Sequence, residues 1–152
     1  MICAIRIIHT YKRYKMKYQI NISQERMLSV APKAKIIHGV LFDYLWWLCG
    51  SSSEMVEKMR ITDRHGYRYT WISYDWIIKE IPMLPFTSIQ RLTPVINDLE
   101  RWDLIHTMRD AHQYKFVRIM PKAEKLFIKG QYPVDKLWTS WGEKGVAIPK
   151  TE

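Results

Sequence analysis

The sequence predicts an α+β fold, mainly helical, in which two short helices are followed at once by a β-hairpin. Three observations carry that prediction. Ile37, Val40, Leu41, Tyr44, Leu45 and Leu48 recur at spacings of three and four, which places them on one apolar helix face. Two shorter helical patterns, Ser73 to Ile81 and one carrying Leu92, Val95, Ile96 and Leu99, are separated by the turn-like stretch Met83 to Thr87. Leu104 to Arg109 and Tyr114 to Met120 then read as strands joined by Asp110, Ala111, His112 and Gln113.

Along the chain, Lys17 to Ile22 alternates weakly and predicts a short strand, and Ser23 with Gln24 to Leu28 predicts a helical turn. The long helix begins near Lys33 and stops at Gly50. Ser51 to Arg60 reads as a short polar helix or loop, and Asp63, Arg64, His65 and Gly66 supply turn chemistry. Tyr67, Tyr69 and Trp71 alternate with Arg68 and Thr70, the period-two pattern of a half-buried strand. Ser73 is an N-cap with Asp75 in the first turn behind it, and Trp76, Ile77, Ile78 and Ile81 form an apolar face before Pro82 ends the helix. Pro121 closes the hairpin. Lys122 to Lys129 predicts a final helix with Leu126 and Phe127 turned inward, and the remainder, with Pro133, Gly142, Gly145 and Pro149, reads as a tail.

These patterns divide the 152 residues into a basic N-terminal arm (1–32), one folded domain (33–130) and a C-terminal tail (131–152). Hydrophobic residues at 47% and charged residues at 26% suit a globular core. Cys3 and Cys49 stand far apart with no metal-ligand spacing around them, which argues against a disulfide framework or zinc site and suits a reducing cytoplasm. No run approaches the roughly 20 apolar residues of a membrane span. Arg6 interrupts the apolar start, Lys12, Arg13, Lys15 and Lys17 follow it on the wrong side for a secretory leader, and Met16 is a second candidate start.

The net charge of +9 is unevenly spread. Residues 1–35 carry eight Lys/Arg against one Asp/Glu, and residues 106–130 carry six against two. Two basic regions therefore flank a middle that is neutral to acidic, an arrangement suited to a polyanion.

Two short helices joined by a turn and followed by a hairpin make a helix-turn-helix with a wing, here over residues 67 to 120. Residues 71 to 105, WISYDWIIKEIPMLPFTSIQRLTPVINDLERWDLI, resemble the winged helix-turn-helix of phage and plasmid replication-associated and regulatory proteins. The resemblance rests on the strand and capped helix from Trp71 to Trp76, the Pro85-Phe86 turn, Ser88 before the recognition helix, and a closing Leu99, Leu104, Ile105 pattern; with the preceding helix it covers roughly residues 33 to 120. Two positions depart from the family. Pro94 stands where a helical, often basic, residue is usual, and Asp103 replaces a turn glycine. A mid-helix proline costs about 3 kcal/mol or more, so Thr93 as N-cap with Pro94 in the first helical position is the expected local solution. Gln90 and Arg91 would then sit in the turn.

The resemblance implies a double-stranded DNA-binding protein of a phage or mobile element. Leu92, Val95, Ile96 and Leu99 would anchor the recognition helix, leaving Gln90, Arg91, Thr93 and Asn97 for DNA. Asp98, Glu100 and Asp103 make that helix acidic on balance, so the expected phosphate contacts move to the wing and arm. They are Arg109, His112, Lys115, Arg118 and Lys122, with Lys125 behind them, and Lys12, Arg13, Lys15 and Lys17. Binding of limited sequence specificity follows. A protein interaction module with a replisome or host partner, and a sequence-specific transcriptional regulator, remain alternatives on the same fold.

The seven tryptophans invite a single-strand stacking role, but Trp46, Trp71, Trp76 and Trp102 fall on or beside core stripes. Trp138 and Trp141, in the tail, can pack back or dock a partner. The five histidines are scattered, and no phosphate-binding loop, glycine-rich fingerprint or nucleophile elbow occurs. Neither an enzyme, nor a cofactor, nor a small-molecule substrate is expected. A homodimer is left open.

Overall fold

The computed structural model describes residues 20–51 and 53–126. Their order is α1 (Gln24–Val30), α2 (Ile36–Gly50), α3 (Glu54–Lys58), β1 (Arg60–Thr62), β2 (Arg68–Trp71), α4 (Tyr74–Glu80), a 3-10 turn (Ile89–Arg91), α5 (Leu92–Arg101), β3 (Ile105–Arg109), β4 (Lys115–Ile119) and a closing 3-10 turn (Pro121–Leu126). The four strands make one antiparallel sheet in the order β1-β2-β4-β3. This is an α+β architecture, with helices contributing more residues than strands.

α2 is the spine. The sequence predicts one apolar stripe, but Leu41, Phe42, Tyr44, Leu45, Trp46, Leu48 and Cys49 are all buried. A helix apolar around most of its circumference belongs inside a fold. Its sides are taken by α5 and by the β2 and β4 strands of the sheet. Truncating a fully enclosed residue such as Leu41 or Leu45 to Ala would cost about 2–5 kcal/mol.

Both ends of α2 are closed by side chains. At its start His38 Nδ1 accepts the Lys35 backbone N–H at 2.9 Å. At its end Arg60, whose side chain is only 3% exposed, donates from Nη2 to the carbonyls of Cys49 and Ser51 at 2.7 Å each. A guanidinium on orphan C-terminal carbonyls satisfies hydrogen bonds and complements the negative end of the helix dipole. Arg60 also meets Glu57 and Thr70, which ties α2 to the sheet through β1, a three-residue strand the sequence does not announce.

Residues 20–22 form no strand, and residues 17–19 of the expected one lie outside the described residues. The predicted turn at Ser23 is a helix. Ser23 accepts from the Arg26 N–H, Met27 is buried, and Arg26 donates to the Lys125 carbonyl across the fold. Residues 20–32, counted with the arm on charge, therefore join the packed body. Gly39 permits this: a Cβ there would lie 2.8 Å from Ile22 Cγ2.

The sheet is built from two hairpins with one loop design. In the β1–β2 loop Asp63 Oδ1 accepts the N–H groups of His65 and Tyr67, and Gly66 takes a φ of +85°. In the β3–β4 loop Asp110 Oδ1 accepts those of His112 and Tyr114, and Gln113 takes a φ of +66°. The loops align as Asp-x-His-x-Tyr, and the equivalent residues Thr70 and Val117 face one another where β2 meets β4. The carboxylate bonds explain why the second loop closes without an Asn-Gly turn.

α5 answers both departures in the sequence. It does not start at Thr93: the 3-10 turn runs straight into a helix from Leu92, so Pro94 is its third residue. First-turn N–H groups have no acceptor within the helix, so a proline there loses no bond. At the other end Asp103 adopts φ +59°, its N–H bonds to Glu100 O, and the Leu104 N–H bonds to Leu99 O. That pair of bonds is a Schellman closure, and the buried Leu99 and Leu104 supply its apolar contact. Aspartate is among the few non-glycine residues that enter this region readily.

The expected final helix starts as the 3-10 turn Pro121–Leu126, with Ala123 and Leu126 buried; Phe127 and beyond lie outside the described residues.

Candidate nucleic-acid interface

α5 buries Leu92, Val95, Ile96 and Leu99 against the core. The helical repeat then turns Gln90, Thr93, Pro94 and Asn97 to the opposite side, and all four are exposed. Gln90 Oε1 accepts from the Ser88 hydroxyl. Ser88 therefore does not cap the helix, as the resemblance implies it should. Arg91, also exposed, holds its guanidinium over the Phe86 ring at 5.4 Å.

The carboxylates of Asp98 and Glu100, which make this helix acidic in sequence, are both paired. Asp98 Oδ2 accepts from His38 Nε2 at 2.9 Å, and its Oδ1 meets Arg101 at 3.1 Å. Glu100 Oε2 accepts both the backbone N–H (2.8 Å) and the hydroxyl of Thr107 on β3. Their charge is spent on tethering α5 to α2 and to the sheet. Asp103 stays exposed, at the far end of the helix.

The hairpin expected to act as a wing is β3–β4. Arg109 is exposed at its tip and donates to the Gln113 carbonyl at 2.9 Å; His112 is exposed beside the Tyr114 ring. Lys115 leans towards α4. Its Nζ donates to the Tyr74 hydroxyl at 3.1 Å and lies 5.7 Å from that ring's centre. The ammonium is thus set between the wing and the first residue of α4.

Two predicted wing cations are placed elsewhere. Arg118 follows Lys115 by three residues, and strand alternation puts it on the other face of the sheet. Its guanidinium stacks on Tyr67 at 4.1 Å and lies 5.4 Å from the Tyr69 ring centre. Lys122 donates to the carbonyl of Trp102, the C-cap of α5, at 3.0 Å. Each is a half-buried structural contact, so a charge count along the segment overstates the positive charge that this hairpin presents. Lys125 is exposed on the closing turn, and Lys12, Arg13, Lys15 and Lys17, like Trp138 and Trp141, lie outside the described residues.

Comparison with family models, with curated proteins and with solved structures gave no match. The interface therefore rests on its own geometry.

Sequence reasoning gave no contact role to Tyr74, Phe86 or His38, which meet Lys115, Arg91 and Asp98 respectively. Phe86 had a local signal, an aromatic five residues before Arg91, whereas the reach of Lys115 to Tyr74 across the fold is invisible before folding. Among the described residues no three His, Cys, Asp or Glu side chains are grouped to hold a metal, and no helix is long and apolar enough to cross a membrane. Burial pushes the Cys49 thiol up to about 12, against the smaller opposing effects of Thr70 and Arg60, so it is not a nucleophile near neutrality.

Proposed function

We propose that this protein is a winged helix-turn-helix that binds double-stranded DNA with limited sequence specificity, as a component of a phage or mobile element acting in the host cytoplasm. The observation that carries the reading is the connectivity: α4, a turn and α5 lie between β2 and β3, and β4 returns between those two strands. That order projects a helix beside a hairpin, the geometry that enters a major groove while the wing follows the backbone. The polar, exposed side of α5 and the Arg109, His112 and Lys115 group support it. α4 and α5 act as the helix-turn-helix, β3 and β4 as the wing, and α5 as the groove-filling element.

The test is binding to mixed-sequence duplex, single-stranded DNA and RNA across a salt series. Duplex should bind best, with affinity falling steeply as salt rises, because each phosphate contact releases a counterion. Absence of duplex binding at low salt would overturn the reading. One observation favours the protein-docking alternative: Met83, in the turn between α4 and α5, is 84% exposed. On that alternative Met83→Ser abolishes partner capture while duplex is ignored.

A further inference from the structure

We infer that the exposed stripe of α5 reads A·T base pairs in the major groove, so that the preferred ligand is A·T-rich duplex. This rests on the duplex-binding reading above. In the major groove adenine offers an acceptor at N7 and a donor at N6, and thymine adds a methyl group. A carboxamide matches the adenine pair, and an apolar surface matches the methyl. The stripe, continued onto the preceding 3-10 turn, carries those two chemistries: the carboxamides of Gln90 and Asn97, with the Thr93 methyl and the Pro94 ring between them. Ile89, 39% exposed, extends the apolar part at the start of the helix.

The groups that G·C would require already hold partners within the protein. Guanine is read by an arginine or lysine, and Arg91 is seated on Phe86 while Arg101 is paired with Asp98 at the far end. Cytosine N4 is read by a carboxylate, and those of Asp98 and Glu100 are taken by His38, Arg101 and Thr107. Asn97 and Thr93 have no side-chain partner among the described residues, so both are available to a base edge.

Three alternating duplexes of equal length, made of A·T, G·C and inosine·cytosine pairs, test this by fluorescence anisotropy at physiological salt. Inosine·cytosine presents the major groove of G·C with the minor groove of A·T. A·T should bind about tenfold tighter than either of the others, the worth of a good carboxamide–adenine pair. Replacing thymine by uracil, which removes the methyl, should weaken binding several-fold. Asn97→Ala, at an exposed position that leaves the fold intact by circular dichroism, should bring A·T affinity down to that of G·C while the salt dependence persists. Equal affinity for A·T and G·C would overturn the inference. Equal affinity for A·T and inosine·cytosine would also overturn it, by placing the preference in the minor groove. Failure to bind any duplex is a different result, and it would remove the DNA-binding reading itself.

Discussion

His38 on α2 and Asp98 on α5 are joined by a 2.9 Å hydrogen bond, and the tautomer is set by the other ring nitrogen. Because Nδ1 accepts the Lys35 N–H, the proton sits on Nε2 and points at the Asp98 carboxylate. One imidazole thus closes the start of α2 and fixes the proposed recognition helix against it, with Trp102 packed beside it at 4.7 Å. His38→Ala should lower stability by about 2–3 kcal/mol in urea denaturation, since it leaves a cavity and two unpaired groups. Asp98→Asn should cost less, because an amide oxygen can still accept from Nε2. Equal stability of His38→Ala and wild type would show that the link is not structural.

Glu80 ends α4 with 1% of its surface exposed. Desolvation pushes its carboxyl up to about 7, opposed by the Tyr44 hydroxyl. The native state therefore binds this proton more tightly than the unfolded chain does. That contribution is fully present below the ordinary carboxylate range near 4.5 and is lost as pH rises through 7. The loss amounts to about 2–3 kcal/mol. Glu80→Gln should match the wild type near pH 5 and exceed it in melting temperature near pH 8.5; parallel profiles of the two proteins would refute this.

Asp103 sits at φ +59° to close α5. Glycine has no Cβ to strain there, although it costs more chain entropy on folding. Asp103→Gly should raise stability by about 0.5–1 kcal/mol, and Asp103→Val should lower it by more than 1 kcal/mol. Thermal melts of the pair check both signs.

Lys115 and Arg118 lie on opposite faces of β4, which separates two effects that a charge count merges. Lys115→Ala should weaken duplex binding for every sequence and reduce the salt slope by about one unit. Arg118→Ala should leave that slope unchanged and lower stability, through loss of its stacking on Tyr67 and Tyr69. A salt slope reduced by Arg118→Ala and untouched by Lys115→Ala would reverse the assignment.

Much of the scaffold is legible in the amino-acid order because it depends on local chemistry. The 3.6-residue spacing of Leu41, Tyr44, Leu45 and Leu48, the cap at Ser73, the stop at Pro82 and the alternation of Tyr67 to Trp71 each act within a few residues. The polar side of α5 could be named for the same reason: burying Leu92, Val95, Ile96 and Leu99 determines which residues face outward. Two local departures were read less well. Pro94 is accommodated by a preceding 3-10 turn, and Asp103 by a left-handed closure, and both solutions depend on how α5 is joined to its neighbours.

What the sequence by itself determined is the order of the main helices and of the strands other than β1, with the outward set Gln90, Thr93 and Asn97, since periodicity and turn chemistry are short-range. Tertiary structure alone decided where the charges act. It took Asp98 and Glu100 into bonds with His38 and Thr107, turned Arg118 onto a tyrosine pair, set Lys122 on the end of α5 and brought Lys115 to Tyr74. Those partners lie tens of residues apart in the chain, apart from Glu100 and Thr107, which meet only because α5 closes tightly onto β3. A charge is assigned its role by the group it meets in space, and linear sequence carries no measure of that distance.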